Sequence, residues 1–431
     1  MSYLEFVKLF TDILFFVIGA ILAHFTVFGI AGIFLKKKYP EAEKKKRYGI
    51  IIPARNEESV VAGLIESIKK NDYPQDKLSI FVVAHNCSDG TASVAREHGA
   101  TVYEYDNPAE NTMGFAFKYL FSCIERDHGT DSFDGFFLFN ADNILAPDYI
   151  SRMNDAFEDC GGDSVITSYR NSTNFGKNII SGLYGLYFAM GCRLESRGRT
   201  ALGCSTRVQG TGYLISSDVV KNGWPYVSLT EDWEFTADQI LFDNKIKYCD
   251  DAVFYDEQPT TVRIMWRQRV RWSRGHLLVF YARFGNLFKS LFKKETRHRI
   301  SLYDITAYIL PSPFITVILQ TLQLILFATA PLIDGDLTFK RVMLGETADL
   351  LNSDGLVFVW ARSAIVSAAV LILSAVLVLL LERRRIHGVS FAKKVMIVLC
   401  WPVFMAIQLP IDVQAVLSRN LGWKTIPHNG E

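Results

Sequence analysis

Tyr48-Gly49-Ile50-Ile51-Ile52-Pro53-Ala54-Arg55-Asn56-Glu57-Glu58 joins a short apolar run to a polar cluster. The run is uncharged and β-branched, which suits a strand buried on both faces. The same pattern recurs twice. Leu78–Ala84 is followed by His85-Asn86-Cys87-Ser88-Asp89, and Gly135–Phe139 by Asn140-Ala141-Asp142. Between these runs, Ser59–Lys70, Thr91–His98 and Gly114–Arg126 have helical spacing, and Thr101–Tyr105 reads as one more strand. The alternation predicts an α/β domain over residues 48–259, with a mostly parallel sheet covered on both faces. Ligands of such sheets sit beyond the carboxyl ends of the strands. All three polar clusters fall there. Any one of them alone would pass for a turn; three in register favour a site.

Further along, Leu229-Thr230-Glu231-Asp232-Trp233-Glu234 crowds carboxylates just after a loop, and Gln268-Arg269-Val270-Arg271-Trp272 comes some thirty residues later. Thr230 can cap a helix, and Glu231 and Asp232 suit the positive end of its dipole. Capping does not account for the second group. A carboxylate positioned as a base, with Arg and Trp to hold an anionic leaving group and a ring, suits group transfer from a phosphate ester. On a helix starting at Thr230, Glu231 and Glu234 share a face, and Asp232 points about 100° away from Glu231.

The 431-residue chain is 49% apolar, and its two ends are greasier than its middle. A net charge of +1 gives no overall field for nucleic acid. Its seven cysteines form no C-x-x-C pair, as expected of reduced thiols in the cytosol. Ile13–Leu35 is uncharged and long enough to cross a bilayer, and Lys36-Lys37-Lys38 and Lys44-Lys45-Lys46-Arg47 come directly after it. The positive-inside rule then puts the α/β domain in the cytoplasm, with residues 1–36 as the N-terminal anchor. A cleaved signal peptide fits poorly, because the basic cluster comes after the apolar run. Residues 260–300 mix aromatic and basic residues as an interfacial helix does. Residues 305–417 read as about three further spans, 305–333, 356–381 and 395–417, before a tail at 418–431. Counting passes puts that tail outside.

The ordered pair Thr230-Glu231-Asp232 and Gln268-Arg269-Val270-Arg271-Trp272 resembles the T/E-E-D and Q-x-x-R-W motifs of membrane-bound family 2 glycosyltransferases. That group contains cellulose, chitin, hyaluronan and poly-N-acetylglucosamine synthases. The resemblance implies a Rossmann-like α/β GT-A domain plus transmembrane helices. It implies Asp232 as catalytic base with Glu231 beside it. Pro53, Arg55, Asn56, Glu57, His85, Asn86, Asp89 and Asn140 would bind the nucleotide sugar. Asp142 would hold Mg2+ or Mn2+ on its diphosphate. Gln209, Gly210, Thr211, Gly212, Gln268, Arg269, Arg271 and Trp272 would form the acceptor and diphosphate side. The sequence departs from the pattern at Asn140, where relatives carry the first Asp of D-x-D, at His85, and at Met113-Gly114. Asn140 offers an oxygen but no charge, which leaves Asp142 as the main ligand.

The implied reaction is inverting sugar transfer from a nucleotide sugar, first of all a UDP-sugar, to a growing polysaccharide. The expected place is the plasma membrane, with the catalytic domain in the cytosol. An accessory export subunit or a second copy of the chain is a candidate partner. Transfer of one sugar to a membrane lipid is the alternative, and an inactive transferase serving as a membrane scaffold is a third reading. The segment from Trp423 to His428 also resembles tails that stay cytoplasmic, in conflict with the count of passes.

Overall fold

The computed structural model describes residues 1–347 and 349–418, so all but the first residue of the expected tail lies outside it. Helix α1 (Tyr3–Phe34) leads into the α/β domain. There β1 (Tyr48–Ala54), α2 (Val61–Lys69), β2 (Leu78–His85), α3 (Thr91–Glu97), β3 (Thr101–Tyr105), α4 (Met113–Asp127) and β4 (Gly135–Leu138) alternate as the apolar runs require. The short β5 (Ile144–Leu145), α5 (Tyr149–Asp159) and β6 (Val165–Ser172) come next. Successive side chains of β1 enter opposite cores. Ile50 and Ile52 pack with α2 and α5, and Ile51 packs with α4. Each such isoleucine contributes about 1.5–3 kcal/mol by leaving water.

The sheet has eight strands in the order β3-β2-β1-β4-β7-β6-β8-β5, where β7 is Tyr213–Ser216 and β8 is Ile246–Asp256. Its first four strands are parallel, as expected. Only β7 and β5 run against the others, so six of the eight strands share one direction, as the mostly parallel reading expects. Between β6 and β7 run α6 (Ile179–Met190), a π-helical turn (Gly191–Ser196) and α7 (Arg197–Ala201). The chain then re-enters the sheet backwards, with β7 antiparallel to both β4 and β6. The reversal has a use. Tyr213 pairs with Leu138, so the glycine-rich turn before β7 lands at the carboxyl end of β4. Gly212 sits at φ 69°, its N–H donates to the Leu138 carbonyl at 2.9 Å, and a Cβ there would be 2.0 Å from the Phe254 ring.

Helix α8 (Glu231–Leu241) precedes β8, and α9 (Val262–Ser290) carries the second motif across it. A Cβ on Gly275 of α9 would meet the Thr230 methyl at 2.3 Å, so this close crossing needs glycine. The expected span 305–333 is two helices, α10 (Arg299–Tyr308) and α11 (Ser312–Ile333). Pro311 and Pro313 lack the N–H groups a continuous helix would need. A short α12 (Phe339–Leu344) precedes the span α13 (Leu356–Leu381). The last span is also broken, into α14 (Phe391–Ala406) and α15 (Gln408–Leu417). Pro410 cannot donate to the Ala406 carbonyl, and the helix breaks at Ile407.

Four segments are long and apolar enough to cross a membrane: Tyr3–Phe34, Ser312–Ile333, Leu356–Leu381 and Phe391–Leu417. The basic flanks of α1 and α13 converge on one carboxylate of β8: Lys36 lies 3.6 Å and Arg385 3.1 Å from Asp250. Both helices therefore end on the side of the α/β domain.

Candidate active site

One cavity of about 660 Å3 gathers Pro53, Arg55, Glu57, His85, Asn140, Asp142, Gln209, Gly210, Glu231, Asp232, Gln268, Arg269, Arg271 and Trp272. These residues come from the ends of β1, β2 and β4, the turn before β7, the start of α8 and one face of α9.

Other sequence candidates hold the loops in shape instead of lining the cavity. Asn56 and Asn86 adopt φ 56° and 52°, a left-handed conformation that asparagine tolerates. Asn56 accepts the Ser88 N–H at 2.8 Å, and Asn86 accepts the Asn107 N–H at 2.7 Å. Asp89 accepts N–H groups from Glu58 and Thr91, at 3.2 and 3.1 Å. Its carboxylate thereby serves the start of α3. Thr211 accepts the Asn140 N–H at 2.9 Å and donates to Asn143 at 2.5 Å. Asn143, fully buried and passed over in the sequence, in turn donates to Asp142 at 3.0 Å. Thr211 and Asn143 therefore set the turn that presents Asn140 and Asp142.

His85 is buried, its Nε2–H donates to the Glu110 carbonyl at 2.6 Å, and its ring stacks on Tyr105. Burial lowers its pKa, which keeps it neutral.

Thr230 precedes α8 but does not cap it. Its hydroxyl is buried without a hydrogen-bond partner. Asp232 accepts the N–H of Trp233 at 2.9 Å instead. Glu231 is buried, and burial together with the charge of Asp232 pushes its carboxyl up to about 8. Burial raises Asp232 as well, opposed by the Trp233 N–H and by the charges of Arg207 and Arg271. Two buried carboxyls side by side cannot both ionise as easily as they would in water, and the Trp233 N–H and the two arginines favour charge on Asp232. Glu234 turns away and pairs with Arg283 of α9 at 3.0 Å.

The two arginines of the second motif divide. Arg271 donates to the Leu229 carbonyl at 3.1 Å and stays beside Glu231 and Asp232. Arg269, expected on the diphosphate, also lines the cavity, with its guanidinium held by α14 and α15. It donates to Gln408 at 3.0 and 2.8 Å and to the Phe404 carbonyl at 2.8 Å. Along the same face, Ser273 donates to Asp412 at 2.5 Å and Trp266 to Gln414 at 2.6 Å. Polar residues at membrane depth usually face protein, and here they fasten α15 to α9. Trp272 packs at 6.1 Å from Tyr184 and 6.4 Å from Phe188 at the cavity wall.

Arg170 gives no signal in the sequence. Its Nε donates to Asp256 at 2.7 Å and its Nη1 to the Gln209 carbonyl at 3.0 Å. Only the pairing of β6 with β8 brings these together.

Among the described residues, no three His, Cys, Asp or Glu gather as a complete metal site. The donors present fit a smaller demand. Mg2+ and its like are commonly held by one or two carboxylates, with substrate phosphates and water completing the shell. Asp142 and the Asn140 amide oxygen, side by side in the cavity, suit that.

The model of the glycosyltransferase like family 2 matches residues 46–275. The chain belongs to that family. It is 27% identical over 251 residues to a probable glycosyltransferase, YdaM, of Bacillus subtilis, covering 56% of this chain and 58% of that one. It is 24% identical to the beta-monoglucosyldiacylglycerol synthase of Trichormus variabilis, over 68% of this chain and 63% of that one. It is 21% identical to a poly-beta-1,6-N-acetyl-D-glucosamine synthase of Staphylococcus epidermidis, over 58% and 59%. The chain thus spans about three-fifths of the length of these relatives. The structure of the mannosyltransferase PcManGT from Pyrobaculum calidifontis, in complex with GDP-Man and Mn2+, superposes with a TM-score of 0.58. The match covers 97% of this chain and all of that one at 14% identity. The domain is a GT-A fold.

Proposed function

We propose that this chain transfers a sugar from a nucleotide-sugar donor to an acceptor hydroxyl with inversion, using Asp232 as the base. The observation that carries it is the juxtaposition, in one cavity, of the Asp232 carboxylate with the Asn140–Asp142 turn, Arg271 and Trp272. The donor would lie across the carboxyl ends of β1, β2 and β4, with Arg55, Glu57 and His85 around its nucleoside. Asp142 and the Asn140 oxygen would hold a divalent cation, which when bound offsets diphosphate charge. Asp232 takes the proton of the acceptor hydroxyl as that oxygen attacks the anomeric carbon opposite the diphosphate. Arg271 supplies positive charge on the same side, and Trp272 an aromatic face for a sugar ring. Gln268 keeps a buried side-chain oxygen without a hydrogen-bond partner, ready to accept from a hydroxyl.

Relatives are named both for a polymer product and for a glycolipid product. The sequence motif favours a growing polysaccharide; the shape of the cavity bears on the same choice. The basic clusters at the ends of α1 and α13 support a catalytic domain facing the cytosol.

The test is nucleoside diphosphate release by the purified full chain in nanodiscs, offered a panel of UDP- and GDP-sugars with Mg2+ or Mn2+. Release with one donor, lost in Asp232→Asn, is expected. No release with any donor from a folded protein would leave the inactive scaffold standing.

A further inference from the structure

We propose that the acceptor is a membrane lipid with a free headgroup hydroxyl, which enters the cavity sideways from the bilayer. This rests on the transferase reading above and adds the class and route of the acceptor.

The cavity does not end at the sugar site. It runs on to Leu22 and Phe25 of α1, to Pro313 and Phe314 at the start of α11, and to Val416 of α15. No donor chemistry needs that apolar extension. Its depth is fixed by α1 and α11, which pack antiparallel. At their far ends the Tyr3 hydroxyl meets Thr329 at 3.1 Å, and Asp334 accepts the Leu4 N–H at 3.1 Å. The 22 residues of α11 span ~33 Å, close to the ~30 Å hydrocarbon thickness of a bilayer. Phe314 and Phe25 therefore lie where the acyl region meets the headgroups on the catalytic side. The exposed Phe16, Ile318 and Ile325 mark the lipid-facing sides of the same two helices.

The other direction is filled. Toward the far side, Val7, Phe327, Ala330, Val342 and Leu356 form a buried apolar cluster between α1, α11 and their neighbours. A polymer exported between α1 and α11 of this chain would need that path open. A lipid needs only the near end, with its chains against Phe25 and Phe314 and its headgroup reaching inward to the unpartnered Gln268 oxygen and to Asp232. The step balances without a further reactant. The lipid O–H loses its proton to Asp232, the oxygen bonds to the anomeric carbon, and the carbon–diphosphate oxygen bond breaks. The nucleoside diphosphate leaves with the electron pair.

The experiment uses the full chain in nanodiscs of phosphatidylcholine alone, or of phosphatidylcholine with diacylglycerol and total membrane lipid of the expression host. Donors are radiolabelled in the sugar. Expected are chloroform-soluble label in the second set only, and one sugar per diphosphate released. Water-soluble label in chains that lengthen with time would overturn the lipid proposal and leave the transferase reading intact. Diphosphate release without labelled lipid would do the same. No release in any arm would overturn both. Phe314→Trp provides an independent reading. It should raise KM for the lipid several-fold with little change in kcat; an unchanged KM counts against the portal.

Discussion

Arg269 of the Gln268–Trp272 motif donates to the side-chain oxygen of Gln408 through two nitrogens, at 3.0 and 2.8 Å. A residue expected at the diphosphate thus fixes the last helix of the chain onto the helix that carries the motif. Burial leaves the guanidinium little access to water, so losing the partner leaves a buried charge unsatisfied.

Gln408→Ala should therefore cost about 1–3 kcal/mol of stability and lower transfer, by letting α9 shift against α8. Thermal melting in detergent, together with kcat and KM, measures both effects. A variant that matches the native chain in melting and in rate would remove the clamp from consideration.

Asp232→Asn should leave donor binding nearly intact, because the proposed nucleotide contacts come from β1, β2 and β4. Transfer should fall by about a hundred- to ten-thousand-fold, the usual loss with a general base. Calorimetric donor binding beside the transfer rate checks this. Near-native transfer would mean that another group takes the proton.

Glu231 predicts a pH effect of definite sign. An unfolded glutamate ionises near 4.5, whereas burial and Asp232 hold the folded one up to about 8. Between these values the folded chain keeps a proton that the unfolded chain has lost. Stability from this group therefore falls as pH rises through that window and levels off above it. Glu231→Gln should flatten the slope of melting temperature against pH, and should reduce transfer at neutral pH less than Asp232→Asn does. An unaltered slope would show that Glu231 ionises normally.

Asp142→Ala should abolish the Mn2+ dependence of nucleotide binding, and Asn140→Asp should keep or raise metal affinity, since it restores a carboxylate beside Asp142. Nucleotide affinity titrated against Mn2+ for the three proteins reads this without any turnover. Metal-enhanced binding that survives in Asp142→Ala would move the site elsewhere.

Membrane sidedness is testable at two points. Arg385 donates to Asp250 of the catalytic domain at 3.1 Å, so the turn after α13 faces that domain. Helix α15 lies along α9, so its end at Ser418 should face the same way, with α14 and α15 forming a re-entrant pair. Single cysteines replacing His387 and Ser418 should both resist an impermeant reagent on intact cells and react after permeabilisation. Labelling of Ser418→Cys alone would make the last segment a full crossing.

The local elements, and the chemistry available to them, were legible along the chain. Ile50–Ile52 had to be a buried strand because nothing in it tolerates water, and the uncharged Ile13–Leu35 had to belong to an apolar helix, which begins earlier, at Tyr3. Glu231, Asp232 and Arg271 could be read as site residues because such charges are seldom clustered without a partner or a task. How far each side chain reaches, and what it meets, came from the packing. Asp89 has the composition of a ligand, yet its oxygens are claimed by backbone N–H groups nearby, which no spacing reveals. Arg170 and Asn143 gave no signal, because their partners lie 86 and 68 residues away along the chain; Gln408 stood out as a polar residue at membrane depth, but its partner lies 139 residues away. The reversal of β7, which brings Thr211 to Asn140, depends on pairing between strands, not on the pattern within either. Local propensity is written into short windows of sequence. The identity of a buried side chain's partner is a property of the packed whole.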